Sequence, residues 1–195
     1  MKRSCITKIS LCLLVLVTAL VFSGCFLFPD SPGNGGGDPA PPPDDDGGDV
    51  IDISPNAVDF TLRSLDGGNF SLNDYWGKPI WIVFLHRDCM FCRQEAPVME
   101  KMYQKYNNSQ ELVVIGIATP LLNNPANMSM LQEYKNSYGL TFPLLLDGDA
   151  QVRNQFFSGF GVPAMVFIDR RGEVSFRRRG YMDEETVESV LHTIF

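Results

Sequence analysis

Cys89 and Cys92, three positions apart in "RDCMFCRQE", are the residues of this chain best suited to covalent chemistry. On a helix that spacing puts both sulfurs on one face, within reach of a disulfide. Such a pair can exchange disulfides: one thiolate attacks a foreign disulfide, and the second thiol resolves the mixed disulfide. The same spacing also occurs in zinc half-sites and in static cross-links. The folded part has no second cysteine pair, and only His86, His192 and Asp88 stand out as further ligands, so no metal is expected. A four-residue loop constrains the unfolded chain little, so a purely structural bridge would stabilise weakly. Redox chemistry without a cofactor is the reading that the pair favours.

The elements around the pair position it. "PIWIVFLH" (Pro79 to His86) is an unbroken apolar run, as in a strand buried on both faces. "MFCRQEAPVMEKMYQKYNN" follows as a helix, with Pro97 expected to kink it. Cys89 therefore falls where a strand gives way to a helix N-terminus, whose free N–H groups and dipole favour a thiolate. Asp88 should oppose that thiolate, while Arg87 and Arg93 should favour it.

Further along, "ELVVIGIAT" reads as a second buried strand and "MSMLQEYKNSYG" as an amphipathic helix stopped by Gly139. "TFPLLLD" reads as a short strand and "AQVRNQFF" as a short helix. "AMVFIDRRGEVSFRRRGY" reads as two strands around an Arg-Gly turn, and "DEETVESVLHTIF" as a closing helix with acids in its first turn. Upstream, Ala57 to Leu72 alternates around an Asp-Gly-Gly turn and predicts a hairpin. The pattern is α/β, with a sheet covered on both faces.

Residues 1–24 carry Lys2, Arg3 and Lys8 and then an apolar stretch of about 14 residues, the signal-peptide pattern, short of the roughly 20 that a membrane span needs. "FSGC" ends that stretch and resembles a bacterial lipobox, although Phe22 stands where leucine is usual. The resemblance implies that Cys25 is lipidated and becomes the mature N-terminus. Residues 25–52 are rich in glycine, proline and aspartate without apolar periodicity, and read as a flexible tether spanning roughly 25–30 Å. Residues 53–195 form the folded domain. Without the leader, 13 basic residues face 23 acidic ones, a balance of −10 that disfavours nucleic acid. The Arg177 to Gly180 run is too short to reverse this and is expected on a solvated strand edge.

The segments "PIWIVFLHRDCMFCRQEAPVMEKMYQKY" and "YGLTFPLLLDGDAQVRNQFFSGFGVPAMVFIDRRGEV" resemble the membrane-tethered TlpA/ResA-type reductases, and also the wider redoxin group that includes peroxiredoxins. The resemblance runs from about Asp59 to the C-terminus. It implies a thioredoxin-like fold, a central mixed β-sheet flanked by helices, with an N-terminal β-hairpin extension. It implies catalytic roles for Cys89, Cys92 and Pro163, with a cis Val162–Pro163 bond beside the pair. It further implies that the backbone of Val162 pairs with the substrate chain; Met90 and Phe91, apolar residues between the cysteines, are expected to touch that chain. The implied partners are protein thiols and disulfides outside the cytoplasm and a thiol-reductant donor in the membrane; nothing in the sequence demands more than a monomer.

Several residues depart from the family pattern. Asp88 replaces the usual Trp, and no proline stands between the cysteines. Val83 stands where thioredoxin carries a buried Asp, and "IATPLLNNP" lacks the acid expected after the next strand, so no buried base is evident at either place. His86 could serve as the base; the simpler expectation is a strand-end histidine facing solvent. Phe156, Phe157 and Phe160 belong either to an apolar rim with Met90 and Phe91 or to the core, with Phe156 expected in the core. Two other activities fit less well. A peroxiredoxin-like thiol peroxidase would carry P-x-x-x-T-x-x-C, but Ile82 and His86 occupy the Pro and Thr places. A Sco-like copper protein would carry C-x-x-x-C, one residue longer than the spacing here.

Overall fold

The computed structural model describes residue 57, residues 59–107, residue 109 and residues 111–195. The leader, Cys25 and the tether lie outside the described residues.

Seven strands form one sheet in the order β2-β1-β5-β4-β3-β6-β7. β1 (Thr61–Ser64) and β2 (Asn69–Ser71) are the expected N-terminal hairpin. β3 (Ile80–Leu85) is central and wholly apolar because both of its faces are covered. It lies parallel to β4 (Val113–Ala118), with Leu85 opposite Ala118, and antiparallel to β6 (Ala164–Ile168), with Phe84 opposite Ala164. β5 (Leu144–Leu146) continues the parallel part and pairs antiparallel with β1, which joins the hairpin to the sheet. β7 (Val174–Arg179) closes the other edge.

The alternation of side chains along β3 divides the core. Trp81, Val83 and Leu85 pack with α1 (Met90–Asn107), α2 (Met128–Tyr138) and α4 (Glu184–Ile194). Ile80, Ile82 and Phe84 pack on the other face with α3 (Gln151–Phe156) and the hairpin. The sheet is thus flanked by helices, as expected. Gly116 leaves room for the side chain of Leu144 on the neighbouring strand β5, since a Cβ there would lie 2.6 Å from Leu144 Cδ2. α1 runs on through Pro97. Asn127 caps α2, accepting from Met130 N at 2.9 Å, and Gly139 ends it in the left-handed conformation.

β7 is an edge strand, but the arginine run is only partly solvated. Arg178 is exposed, whereas Arg177 and Arg179 are half-buried and donate to the carbonyls of Phe156 and Ser158. These two ties fasten the loop that leads to Pro163.

Candidate active site

α1 begins at Met90, so Cys89 occupies its N-cap position. Its sulfur does what an N-cap oxygen does, accepting the N–H of Cys92, the third helical residue, at 3.1 Å. The Cys89 N–H donates in turn to the His86 carbonyl at 3.1 Å, closing the turn that links β3 to α1. The surroundings bring the Cys89 thiol down to about 6. The chief cause is the hydrogen bond from the Cys92 thiol; the N–H groups of Cys92 and Phe91 and the charge of Arg93 add to it, against the cost of burial. The net sign left open by Asp88 and the two arginines is therefore toward thiolate. Arg87 and Asn124 hold the Asp88 carboxylate to one side.

Cys92 lies one turn deeper and has no exposed surface. Burial first, and the Cys89 sulfur next, push its thiol up. The Tyr134 hydroxyl from α2 donates to the Cys92 carbonyl at 2.6 Å, which pins the first turn of α1.

The Val162–Pro163 bond is cis and lies beside the pair. The Cys89 thiol donates to the Val162 carbonyl at 3.2 Å. Met90 and Phe91 are 57% and 50% exposed, and Phe160, two residues before Val162, is 73% exposed. These three remain as apolar surface at this end of the fold, while Phe156 and Phe157 are buried core.

Two expectations need correction. His86 does not face solvent: it is 1% exposed. Its Nδ1 accepts the Asp88 N–H at 3.2 Å, and its Nε2 is buried without a partner. A buried acid is also present, at a third place. Glu95, three residues after Cys92, is fully buried, accepts the Met182 N–H at 3.0 Å, and leaves Oε1 unpartnered. Burial raises its carboxyl to about 8, opposed by the Met182 N–H and the charge of Arg178. Glu95 also acts on Cys92, helping to hold that thiol neutral. The signal was in the spacing: Cys92, Ala96, Met99 and Met102 form the buried stripe of α1, and Glu95 lies on it. Tyr134 was missed likewise. Among the described residues no three His, Cys, Asp or Glu side chains gather as a metal site, and no helix is long and apolar enough to cross a membrane.

The AhpC/TSA family model matches residues 53–177. The chain is 30% identical over 146 residues to the thiol-disulfide oxidoreductase ResA of Geobacillus thermodenitrificans, covering 74% of this chain and 79% of that protein. It is 28% identical over 141 residues to the thioredoxin-like protein YneN of Bacillus subtilis, covering 72% and 79%. Among solved structures it is similar to Mycobacterium tuberculosis DsbF, with a TM-score of 0.62 and 27% identity over 70% of this chain and 95% of that one.

Proposed function

Since the chain belongs to the AhpC/TSA family and is a thiol–disulfide oxidoreductase of ResA type with a thioredoxin-like fold, we propose that Cys89 and Cys92 are its working pair and that it reduces protein disulfides outside the cytoplasm. The observation that carries this reading is the Cys89 sulfur at the N-cap of α1, its thiol brought down to about 6, within 3.2 Å of the residue before Pro163.

The Cys89 thiolate attacks a substrate disulfide; one substrate sulfur joins Cys89 and the other leaves as a thiolate that takes up a proton. Cys92 then gives its proton to the ionised fraction of Glu95 and attacks the Cys89 sulfur. The second substrate thiol is released, and a Cys89–Cys92 disulfide remains. Two electrons from a membrane dithiol donor restore the pair. Val162 pairs through its backbone with the extended substrate, as in strand addition, beside Pro163, and Met90 and Phe91 contact the same chain. Cys25 carries the lipid anchor, residues 25–52 supply reach, and the domain works as a monomer.

Reduction is taken as the direction because the sequence resembles the membrane-tethered TlpA/ResA-type reductases; the lowered Cys89 thiol serves exchange in either direction. Two measurements test the reading. Cys92→Ser should accumulate mixed disulfides with substrate proteins and Cys89→Ser none; equal trapping by both would sink the assigned roles. The potential of the pair should fall near that of thioredoxin, about −270 mV, whereas one near about −120 mV would reverse the direction.

A further inference from the structure

Cys89 is delivered by the four-residue turn that begins at His86, closed by the Cys89 N–H on the His86 carbonyl at 3.1 Å. The first position of such a turn ordinarily holds Asp, Asn or Ser, whose side chain accepts the N–H two residues on. Histidine stands there in this chain and makes the same contact with its ring: Nδ1 accepts the Asp88 N–H at 3.2 Å. The ring is buried, so water does not compete for that nitrogen. We infer that His86 is a positioning residue of the exchange site: its ring fixes the turn that sets both sulfurs, and so holds the Asp88 carboxylate away from Cys89. The inference rests on the disulfide-exchange reading above and adds to it the residue that keeps the pair in order.

The His86 backbone addresses both sulfurs. β3 ends at Leu85, which lies opposite Ala118 and accepts the Thr119 N–H at 3.0 Å. One residue later the chain has left the ladder, and the polar groups of His86 turn to the pair. Its carbonyl takes the Cys89 N–H. On the Cys92 side, burial and then the Cys89 sulfur push the thiol up, and a hydrogen bond from the His86 backbone works against both. The resolving sulfur must ionise to attack, so this contact favours the second step of exchange. A residue that gripped the turn less firmly would loosen the nucleophile and the resolving thiol together.

Asp88 immediately precedes Cys89 and carries the same sign of charge as the thiolate. Its carboxylate is turned aside, to Arg87 Nε at 3.3 Å and Asn124 Nδ2 at 3.2 Å. That direction follows from the Asp88 backbone, which the His86 ring fixes. The His86 Nδ1 lies 3.8 Å from Asp88 Oδ2. A nitrogen that accepts the Asp88 N–H carries no proton of its own, so the contact is positional rather than an ion pair. Without this acceptor the part-buried Asp88 N–H would lack a partner, and the turn would reorganise to find one. The Cys89 sulfur would then slip from the Cys92 N–H, and the carboxylate would be free to turn toward it. Both changes disfavour the thiolate.

The test uses the full-length protein. Iodoacetamide alkylation of the reduced form is read at Cys89 by mass spectrometry across pH, and the Cys89–Cys92 disulfide is equilibrated in glutathione buffers. His86→Asn supplies an amide oxygen that accepts the same N–H, and should keep the parent's alkylation midpoint and equilibrium. His86→Leu fills the space without an acceptor. It should raise the midpoint by about one pH unit and move the equilibrium at pH 7 about fivefold toward the disulfide. Adding Asp88→Asn to His86→Leu should return part of that shift, because the carboxylate is gone. His86→Gln, whose oxygen lies one bond farther out, replaces His86→Leu if that variant does not fold. Urea unfolding of each variant separates positioning from packing: a merely structural histidine would lower stability and leave the Cys89 midpoint in place. That result, or an equal shift in His86→Asn and His86→Leu, would overturn the inference. A parent that forms no reversible Cys89–Cys92 disulfide would overturn the exchange reading, while the Cys89 midpoint would still decide the role of His86.

Discussion

The Cys89 sulfur stands between two kinds of backbone group: the N–H groups of the first turn of α1 and the carbonyl of Val162, 3.2 Å away on the cis-proline loop. The thiol can donate to that carbonyl and the thiolate cannot. Ionisation therefore transfers the sulfur from the Val162 carbonyl to the helix donors and frees the carbonyl at the moment the nucleophile forms. The same residue that holds the thiol at rest is the one proposed to pair with the incoming chain.

Of the pair, iodoacetamide should alkylate Cys89 in the reduced protein, with a rate that rises with pH about a midpoint near 6, the position to which the Cys92 thiol and the helix N–H groups bring it. Cys92 should be spared, because burial holds it neutral across that range. The sign for stability follows. The ordinary thiol titrates near 9.0, so between about 6 and 9 the unfolded chain keeps a proton that the folded Cys89 has released. This group therefore adds stability to the reduced protein as pH rises through that window, and the gain is lost as pH falls through about 6. An alkylation midpoint near 9 would contradict the N-cap account.

Tyr134→Phe keeps the buried ring and removes the donor to the Cys92 carbonyl. That carbonyl can still receive the helix N–H four residues on, so the loss should be that of one hydrogen bond, about 1 kcal/mol in urea unfolding with an unchanged m value. Tyr134→Ala should cost about 3–5 kcal/mol, because it also opens a cavity between α1 and α2. Equal stability of Tyr134→Phe and the parent would mean that the hydroxyl does not hold the turn.

Much of this arrangement was legible because it is local. The apolar run Ile80–Leu85 reads as a strand covered on both sides, and the C-x-x-C directly after it then falls at a helix start. Ala57 to Leu72 announced its hairpin through Asp66-Gly67-Gly68. The environment of the pair was harder to read. His86 is buried at the end of β3, and nothing in "FLHRD" reports that burial. Glu95 follows Arg93 and Gln94 in a polar triplet that resembles a solvated turn; only the helical period from Cys92 to Met102 places it inside.

Glu95→Gln separates the buried acid from its surroundings. The glutamine oxygen can still accept the Met182 N–H, so the loop before α4 stays tied. In the parent, burial raises Glu95 from 4.5 to about 8. Between those values the unfolded chain has lost a proton that the folded chain keeps, so this group's contribution is full below 4.5 and drains away as pH rises through about 8. Its slope is opposite to that of Cys89, and the two overlap between about 6 and 8. Glu95→Gln should abolish the downward part: the variant should match the parent near pH 4 and exceed it by an amount on the order of a few kcal/mol at pH 8. The same variant should resolve the Cys89 mixed disulfide more slowly, since Cys92 loses its proton acceptor, while the alkylation midpoint of Cys89 stays near 6. A parallel pH profile for the two proteins would show that Glu95 ionises as an ordinary carboxylate. A shifted Cys89 midpoint would show that the acid acts on the nucleophile rather than on Cys92.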